Sequence, residues 1–340
     1  MKLLATTLLI LISLGHNGSA VRGEVTFDWA TIGNPGNAAD DTGFGSVDYI
    51  YRISKYEVTN AQYVEFLNAV AATDTNGLYK SAMGITTIGG ITQTGSSGSY
   101  SYSVKADALG QGPGGSDYSY GNKPAVYVSS LDAMRFVNWL ENGQPTGPQA
   151  AGTTEEGAYL ISDGVSEVRD PDAKFFIPSE DEWHKAAYHR NDGATGNYWE
   201  YPTSSNSPPD NVLPSADTGN SANHSGGVGS DYPYSNVGAY TFSESPYGTF
   251  DQGGNVLEVT EGVYYNVRGY WGGGALIPSY YLSASIGLFD EHPSAGHGFV
   301  DSGLRIASAI PEPNCLLLFA ASGTWLSIMR RQPLARQPEA

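Results

Sequence analysis

Cysteine is nearly absent from this 340-residue chain, and its absence limits the chemistry that the chain can perform. The single cysteine, Cys315, lies in a short apolar segment near the C-terminus, and residues 1–314 contain none. Thiolates are the cysteine form that attacks substrates and binds soft metals. Residues 1–314 therefore contain no disulfide, no cysteine metal site and no thiol nucleophile.

The histidines and acidic residues form only weak catalytic patterns. His292 and His297 lie near Asp290 and Glu291, but no HExxH-like spacing accompanies them. We interpret them as loop residues. A G-x-S-x-G elbow and a P-loop are also missing from the sequence.

Composition and charge describe a folded, acidic protein. The chain is 40% hydrophobic and 12% aromatic, with 43 Gly and 19 Pro, which predicts a packed core with many turns. The formal net charge of -18 repels nucleic acid and anionic membrane surfaces, so we expect no nucleic-acid partner. Such a charge suits a cation-rich extracellular setting, and it also suits simple solubility.

Both ends of the chain carry targeting patterns. Lys2, the apolar run Leu3–Leu14 and the small residues 18–20 predict a signal peptide over residues 1–20. Residues 311–331 contain Pro-Glu-Pro, a short apolar run and two arginines, an order that resembles a PEP-CTERM sorting signal. That resemblance implies an exosortase partner, transient anchoring in the inner membrane and a location at the cell surface or outside the cell. An ordinary C-terminal membrane anchor is the alternative.

Three helices and several short strands are predicted between these ends. Helix starts are indicated at Thr59, near Ser129 and at Ser179, each followed by apolar residues at helical spacing. Residues 47–58 are typical of a strand, and residues 91–104 of an exposed hairpin. Residues 200–236 lack periodicity, which predicts a long loop that is disordered or organised by something other than a core, for example a metal.

Six segments in a fixed order resemble the formylglycine-generating enzyme family, also called the sulfatase-modifying factor domain. They are YRISKYEVTNAQYVEFLNAV (51–70), KPAVYVSSLDAMRFVNWLE (123–141), FFIPSEDEWHKAAY (175–188), YGTFDQGGNVLEVTEG (247–262), VRGYWGGG (267–274) and GLRIAS (303–308). The resemblance covers residues 25–309 and implies a single α+β domain, related to C-type-lectin-like folds, with little regular secondary structure. Glu57, Thr59, Asn60, Ser179, Glu182 and Trp183 match family positions that we interpret as scaffold.

The resemblance also implies a calcium site in a Gly-rich loop. It places a side-chain oxygen on Asp251, backbone carbonyls on Gly254 and Val256, and a carboxylate on Glu258. Calcium prefers such oxygen ligands. The alternative is that both acids are solvated or bond to the loop. Leu257 and Val259 replace two tryptophans of the family pattern, which alters packing rather than ligand chemistry.

A second calcium site is implied around Asn223 and His224. Asp231 is the expected later carboxylate, and Pro233 is a candidate carbonyl donor. A plain Asn/Asp turn cluster is an equally good interpretation. If the site exists, it explains how an aperiodic loop stays ordered.

The two cysteines that form the copper centre of the family have no counterparts in residues 1–314 of this sequence. Active members bind Cu(I) through two cysteines and oxidise a substrate cysteine with O₂, and Cu(I) requires such soft thiolates. Extension without gaps from Arg268 places Gly274 and Ser279 at those two positions. We therefore expect no copper.

Two classes of function remain open. The first is a non-catalytic surface or matrix protein that binds glycans or proteins, or that is purely structural. Tyr264, Tyr265, Tyr270, Trp271, Tyr280 and Tyr281 are candidate stacking surfaces for sugars, although core packing is the commoner role. The second class is an oxidase, either formylglycine-generating or of altered chemistry, that acts on sulfatase-like proteins.

Overall fold

The computed structural model describes residues 23–286 and 300–310, which form an α+β fold. The predicted signal peptide, the sorting tail with Cys315, and His292 and His297 lie outside the described residues. Within these ranges no helix has both the length and the apolar character needed to cross a bilayer.

The three predicted helices are confirmed, and each begins with a capping box. They are α1 (Asn60–Val70), α3 (Ser130–Glu141) and α4 (Glu180–Tyr188). A further short helix, α2 (Ala82–Ile85), lies between α1 and α3 and has no side-chain cap. Thr59, Ser129 and Ser179 are the N-caps, and each side chain accepts a hydrogen bond from the backbone three residues later. These bonds satisfy N–H groups that the first turn leaves free.

Across the described residues, nine short strands form three separate sheets. The strands are β1 (Trp29–Ile32), β2 (Tyr51–Ser54), β3 (Ile91–Thr94), β4 (Ser101–Val104), β5 (Phe175–Phe176), β6 (Leu257–Tyr264), β7 (Val267–Trp271), β8 (Ser302–Gly303) and β9 (Ala307–Ala309). The orders are β1-β2-β9-β5, the predicted hairpin β3-β4, and β7-β6-β8. Strand β2 is shorter than the predicted 47–58, because its ladder with β1 ends at the Ile32–Tyr51 pair.

Aromatic contacts between α1 and α3 hold the main core together. Phe66 of α1 packs on Phe136 and Trp139 of α3 at ring-centroid distances of 5.2 and 5.3 Å. All three side chains are fully buried. The predicted inward stripes of both helices are therefore confirmed.

The long loop over residues 200–236 is organised by local bonds and one small apolar cluster. A parallel bridge joins Asp210 to Ser221, and a short 3₁₀ turn covers Pro214–Ala216. Tyr201 and Ala222 pack with Leu282. This arrangement places Asn223 against the Gly-rich loop.

Candidate functional site

The Gly-rich loop turns sharply at three left-handed residues. The φ angles are 60° at Asp251, 94° at Gly254 and 55° at Asn255. A Cβ at position 254 would lie 2.3 Å from the carbonyl oxygen of Asn223, so glycine is required there. The Asn255 N–H donates to the same carbonyl at 2.8 Å. The two predicted calcium segments are therefore neighbours in the fold.

Glu258 is fully buried and held by a bidentate ion pair. Arg305 donates from Nη2 to Oε1 at 2.7 Å and from Nε to Oε2 at 2.8 Å. The indole Nε1 of Trp183 donates to Oε2 at 2.7 Å. Each carboxylate oxygen accepts up to two bonds, so Oε1 retains capacity for one more contact.

Asp251 and Glu57 add two more carboxylates beside this ion pair. Asp251 accepts a bond of 2.5 Å from the Gly238 N–H. Burial, and then the charge of Glu258, raises the pKa of Asp251 to about 6. Burial, followed by the charges of Asp251 and Glu258, raises the pKa of Glu57 well above its usual value.

Glu57 is also incompletely bonded. Its Oε1 accepts from Asn255 Nδ2 at 3.1 Å, whereas its Oε2 is buried without a hydrogen-bond partner. A cavity of about 150 Å³ is lined in part by Glu57. Buried polar atoms are nearly always satisfied, so an unsatisfied carboxylate oxygen beside other carboxylates needs a partner that protein atoms do not supply.

The oxygen donors of this region fit a hard cation better than a transition metal. The charges of Glu57, Asp251 and Glu258 all act on the single guanidinium of Arg305, and the family resemblance assigns the carbonyls of Gly254 and Val256 to the same site. In residues 23–286 and 300–310, no three side chains of His, Cys, Asp or Glu are grouped so as to hold a metal ion. Backbone carbonyls are therefore needed to complete a coordination shell.

The second predicted site is only partly assembled. Asn223 Nδ2 donates to the Pro233 carbonyl at 2.8 Å and to Asn255 Oδ1 at 2.9 Å, while its own Oδ1 is buried without a partner. The His224 ring instead lies 3.1 Å from the Pro209 carbonyl. Asp231 is exposed. The structure thus brings Asn223 to Pro233 and does not join the side chains of His224 and Asp231 to them.

The two positions that extension without gaps aligns with the family's cysteines lie after β7. Gly274 is buried, and a Cβ at this position would lie 2.6 Å from Asp301 Oδ2. Ser279 begins the 3₁₀ turn Ser279–Leu282. A cysteine at position 274 would require Asp301 to move.

The candidate sugar-stacking residues differ in exposure. Tyr270 and Trp271 are buried, so their rings are not available to a ligand. Tyr265 and Tyr280 are exposed by 87% and 50%. Core packing therefore explains two of the six aromatic residues.

Sequence reasoning missed one of the three carboxylates and the arginine that lies among them. Glu57 was interpreted as scaffold, and Arg305 was noted only as part of the last motif. Both lie in recognisable motifs at opposite ends of the domain, one just before the α1 cap and one between β8 and β9. One available signal is that Arg305 is the single charged residue of the motif 303–308, whereas Glu57 shares its motif with three other charged residues.

Comparison with known proteins agrees with this fold. The family model for the sulfatase-modifying factor enzyme 1-like domain matches residues 40–310. Treponema denticola variable protein 1 is 17% identical, covers 85% of this chain and 97% of its own, and has a TM-score of 0.51. CarF is 19% identical, covers 84% of this chain and 99% of its own, and has a TM-score of 0.44.

Another structural neighbour is PvdO from Pseudomonas aeruginosa. It is 14% identical, covers 83% of this chain and 92% of its own, and has a TM-score of 0.43. No curated protein matches the chain. The match to most of the described residues shows that the chain belongs to the sulfatase-modifying factor enzyme 1-like domain family.

Proposed function

We propose that this protein is an exported, non-catalytic member of its family that serves as a binding module at the bacterial surface or in the matrix. The observation that carries the proposal is the lack of any cysteine in residues 1–314. A Cu(I) centre of the family type needs two thiolates, and glycine and serine do not replace them. The targeting patterns at both ends support export, with an exosortase as the sorting partner.

Calcium is the metal that we propose for the Gly-rich loop. Asp251, Glu258 and the carbonyls of Gly254 and Val256 are the expected ligands, and Glu57 contributes the unsatisfied oxygen. Two carboxylates in excess of the Arg305 charge are costly to bury without a cation. Asn223 and Pro233 supply oxygen atoms for the second site, with His224 and Asp231 as its less supported members.

The proposed ligand is a saccharide of the cell surface or the exopolysaccharide. An acidic, aromatic-rich exported domain meets such polymers outside the cell, and aromatic side chains stack well on apolar sugar faces. A glycan array probed with the calcium-loaded protein tests this ligand class. Selective, saturable binding is expected, and failure to bind any glycan would favour a purely structural role.

An oxidase of altered chemistry is the alternative function. It predicts that the protein converts cysteine in a sulfatase-type peptide in the presence of copper and O₂. The sequence argues against it, because residues 1–314 contain no cysteine and Gly274 has no side chain to bind a metal.

A further inference from the structure

A large cavity lies at one end of the four-stranded sheet, away from the carboxylate group and from Gly274. Its volume is about 930 Å³, within the range of small-molecule pockets in proteins. It forms where β2 begins and β9 ends, and it reaches the surface at the exposed residues Tyr49 and Ile50. None of its lining residues is used by the proposed calcium sites.

One wall of the cavity carries a fixed guanidinium. Arg169 donates to Glu182 at 3.0 and 2.7 Å and to Glu261 at 2.9 and 2.5 Å. These four bonds leave one of the five N–H groups of an arginine, on Nη1, for a ligand. Because two carboxylates outweigh this single positive charge, the wall repels anions while still offering a hydrogen-bond donor.

The mouth of the cavity carries an aromatic ring that is held in place. The Tyr49 hydroxyl donates to Glu182 Oε1 at 2.7 Å, and the ring packs edge-on against Tyr51 at 6.1 Å. Half of the Tyr49 side chain is nevertheless exposed. The adjacent Asp48 is exposed, so its carboxylate is an acceptor at the rim. A rigid aromatic anchor loses little entropy when it binds a ligand.

The remaining lining is mostly apolar. Phe176, Ile310, Pro35 and Pro171 contribute to it, and the Arg169 guanidinium lies 3.7 Å from the centre of the Phe176 ring. The cavity thus combines an apolar surface with one donor that is held in place, on Arg169, and one exposed acceptor, on Asp48. A ligand that fits has an apolar face, a group that accepts a hydrogen bond from Arg169, a group that donates one to Asp48, and no negative charge.

We propose that this cavity binds a neutral saccharide, with a pyranose ring stacked on Tyr49 and hydroxyl groups bonded to Asp48 and Arg169. This inference rests on the proposed function as a saccharide-binding module, and it adds the site and the charge class of the sugar. An anionic polysaccharide is disfavoured by Asp48 and by the carboxylates that hold Arg169.

Titration calorimetry on the calcium-loaded protein tests the site. The probes are the neutral trisaccharides maltotriose, cellotriose and mannotriose, with the trimer of galacturonic acid as the anionic comparison. Tyr49→Ala removes the stacking ring, and Asp48→Asn keeps the shape of the rim while removing its charge. Phe242→Ala, which removes another exposed aromatic ring (73% exposed), is the matched control. Melting temperatures report whether each variant is folded.

The expected result is that at least one neutral trimer binds and the anionic trimer does not. Tyr49→Ala then weakens binding by roughly tenfold, whereas Phe242→Ala leaves it unchanged. Asp48→Asn weakens binding in the same direction, and its melting temperature shows whether loss of the attraction between Asp48 and the buried Lys185 destabilises the fold. If glycans bind the protein but neither variant changes the affinity, the cavity is wrong and the proposed function stands. If neither the array nor the trimers show binding, the saccharide function fails together with the site.

Discussion

At the residue scale, three buried carboxylates lie near one positive charge. They belong to Glu57, Asp251 and Glu258, and the positive charge is that of Arg305, so the negative charge is in excess. Glu258 is neutralised by its bidentate pair with Arg305, whereas Glu57 retains an unsatisfied buried oxygen. Buried like charges raise one another's pKa or recruit a cation. The proposed calcium ion would balance this charge and fix the loop at the same time.

Calcium should therefore stabilise the protein, and the effect should depend on Asp251. At a calcium concentration 100-fold above Kd the expected gain is about 2.7 kcal/mol, which corresponds to a rise in Tm of roughly 5–10 °C. Asp251→Ala should abolish most of this rise. Glu244→Gln, which removes an exposed carboxylate elsewhere, is the control. A wild-type Tm that is the same in calcium and in chelator would contradict the calcium site.

A second residue-scale prediction concerns Asp40, which lies 2.7 Å from His184 Nε2. Burial opposes ionisation of Asp40, but hydrogen bonds from His184 and Thr42 and the attraction of His184 lower its pKa to about 2. A lowered pKa stabilises the folded protein at pH values above 3.8, which is the pKa of this carboxyl in the unfolded chain. This stability is lost as the pH falls through about 2.

Asp40→Asn should consequently destabilise the protein at neutral pH by about 1 kcal/mol, because solvent screens part of the attraction that lowers the pKa of Asp40. The difference from wild type should shrink as the pH falls from 4 to 2, because in this range the Asp40 carboxyl of the unfolded chain binds a proton while that of the folded protein remains mostly ionised. Urea unfolding of the variant and of the wild type at several pH values measures this difference in stability. A difference that does not change over that pH range would show that the Asp40 charge is not what stabilises this contact.

At the scale of elements, helices were predicted well and strands poorly. Helix starts are local: a Ser or Thr cap and the residue three positions later lie in one short segment, as at Thr59 and Ser179. Strand ends depend on partners far away, as β2 ends where its pairing with β1 and β9 stops. For the same reason Asp251 and Glu258 were predicted as site residues and Glu57 and Arg305 were not, because Glu57 and Arg305 come together only in the folded chain.

The cap of α4 offers a test at this scale. Ser179→Ala should cost about 1 kcal/mol, because the Glu182 N–H loses its acceptor, which lies 3.2 Å away. Ser179→Thr restores the hydroxyl and should recover most of the loss. Ser97→Ala, in the exposed turn of the β3-β4 hairpin, is the matched control. Equal stability of the Ala and Thr variants in denaturant unfolding would rule out a capping role.

At the scale of the whole molecule, the domain keeps the scaffold of its family without the thiols of the oxidase. The helices, the Gly-rich loop and the Arg305 ion pair assemble without any cysteine, so the fold does not depend on the copper chemistry. The isolation of Cys315 beside the Pro-Glu-Pro segment agrees with this division, since it lies outside the matched domain.

The most direct test of this account is whether the protein oxidises a substrate cysteine. The purified protein is incubated with calcium, Cu(I), O₂ and a sulfatase-type peptide, and the peptide is followed by mass spectrometry beside a family member that retains both cysteines. We predict conversion of the peptide by that relative and none by this protein. Formation of the formylglycine peptide at a rate proportional to the concentration of this protein would contradict the account.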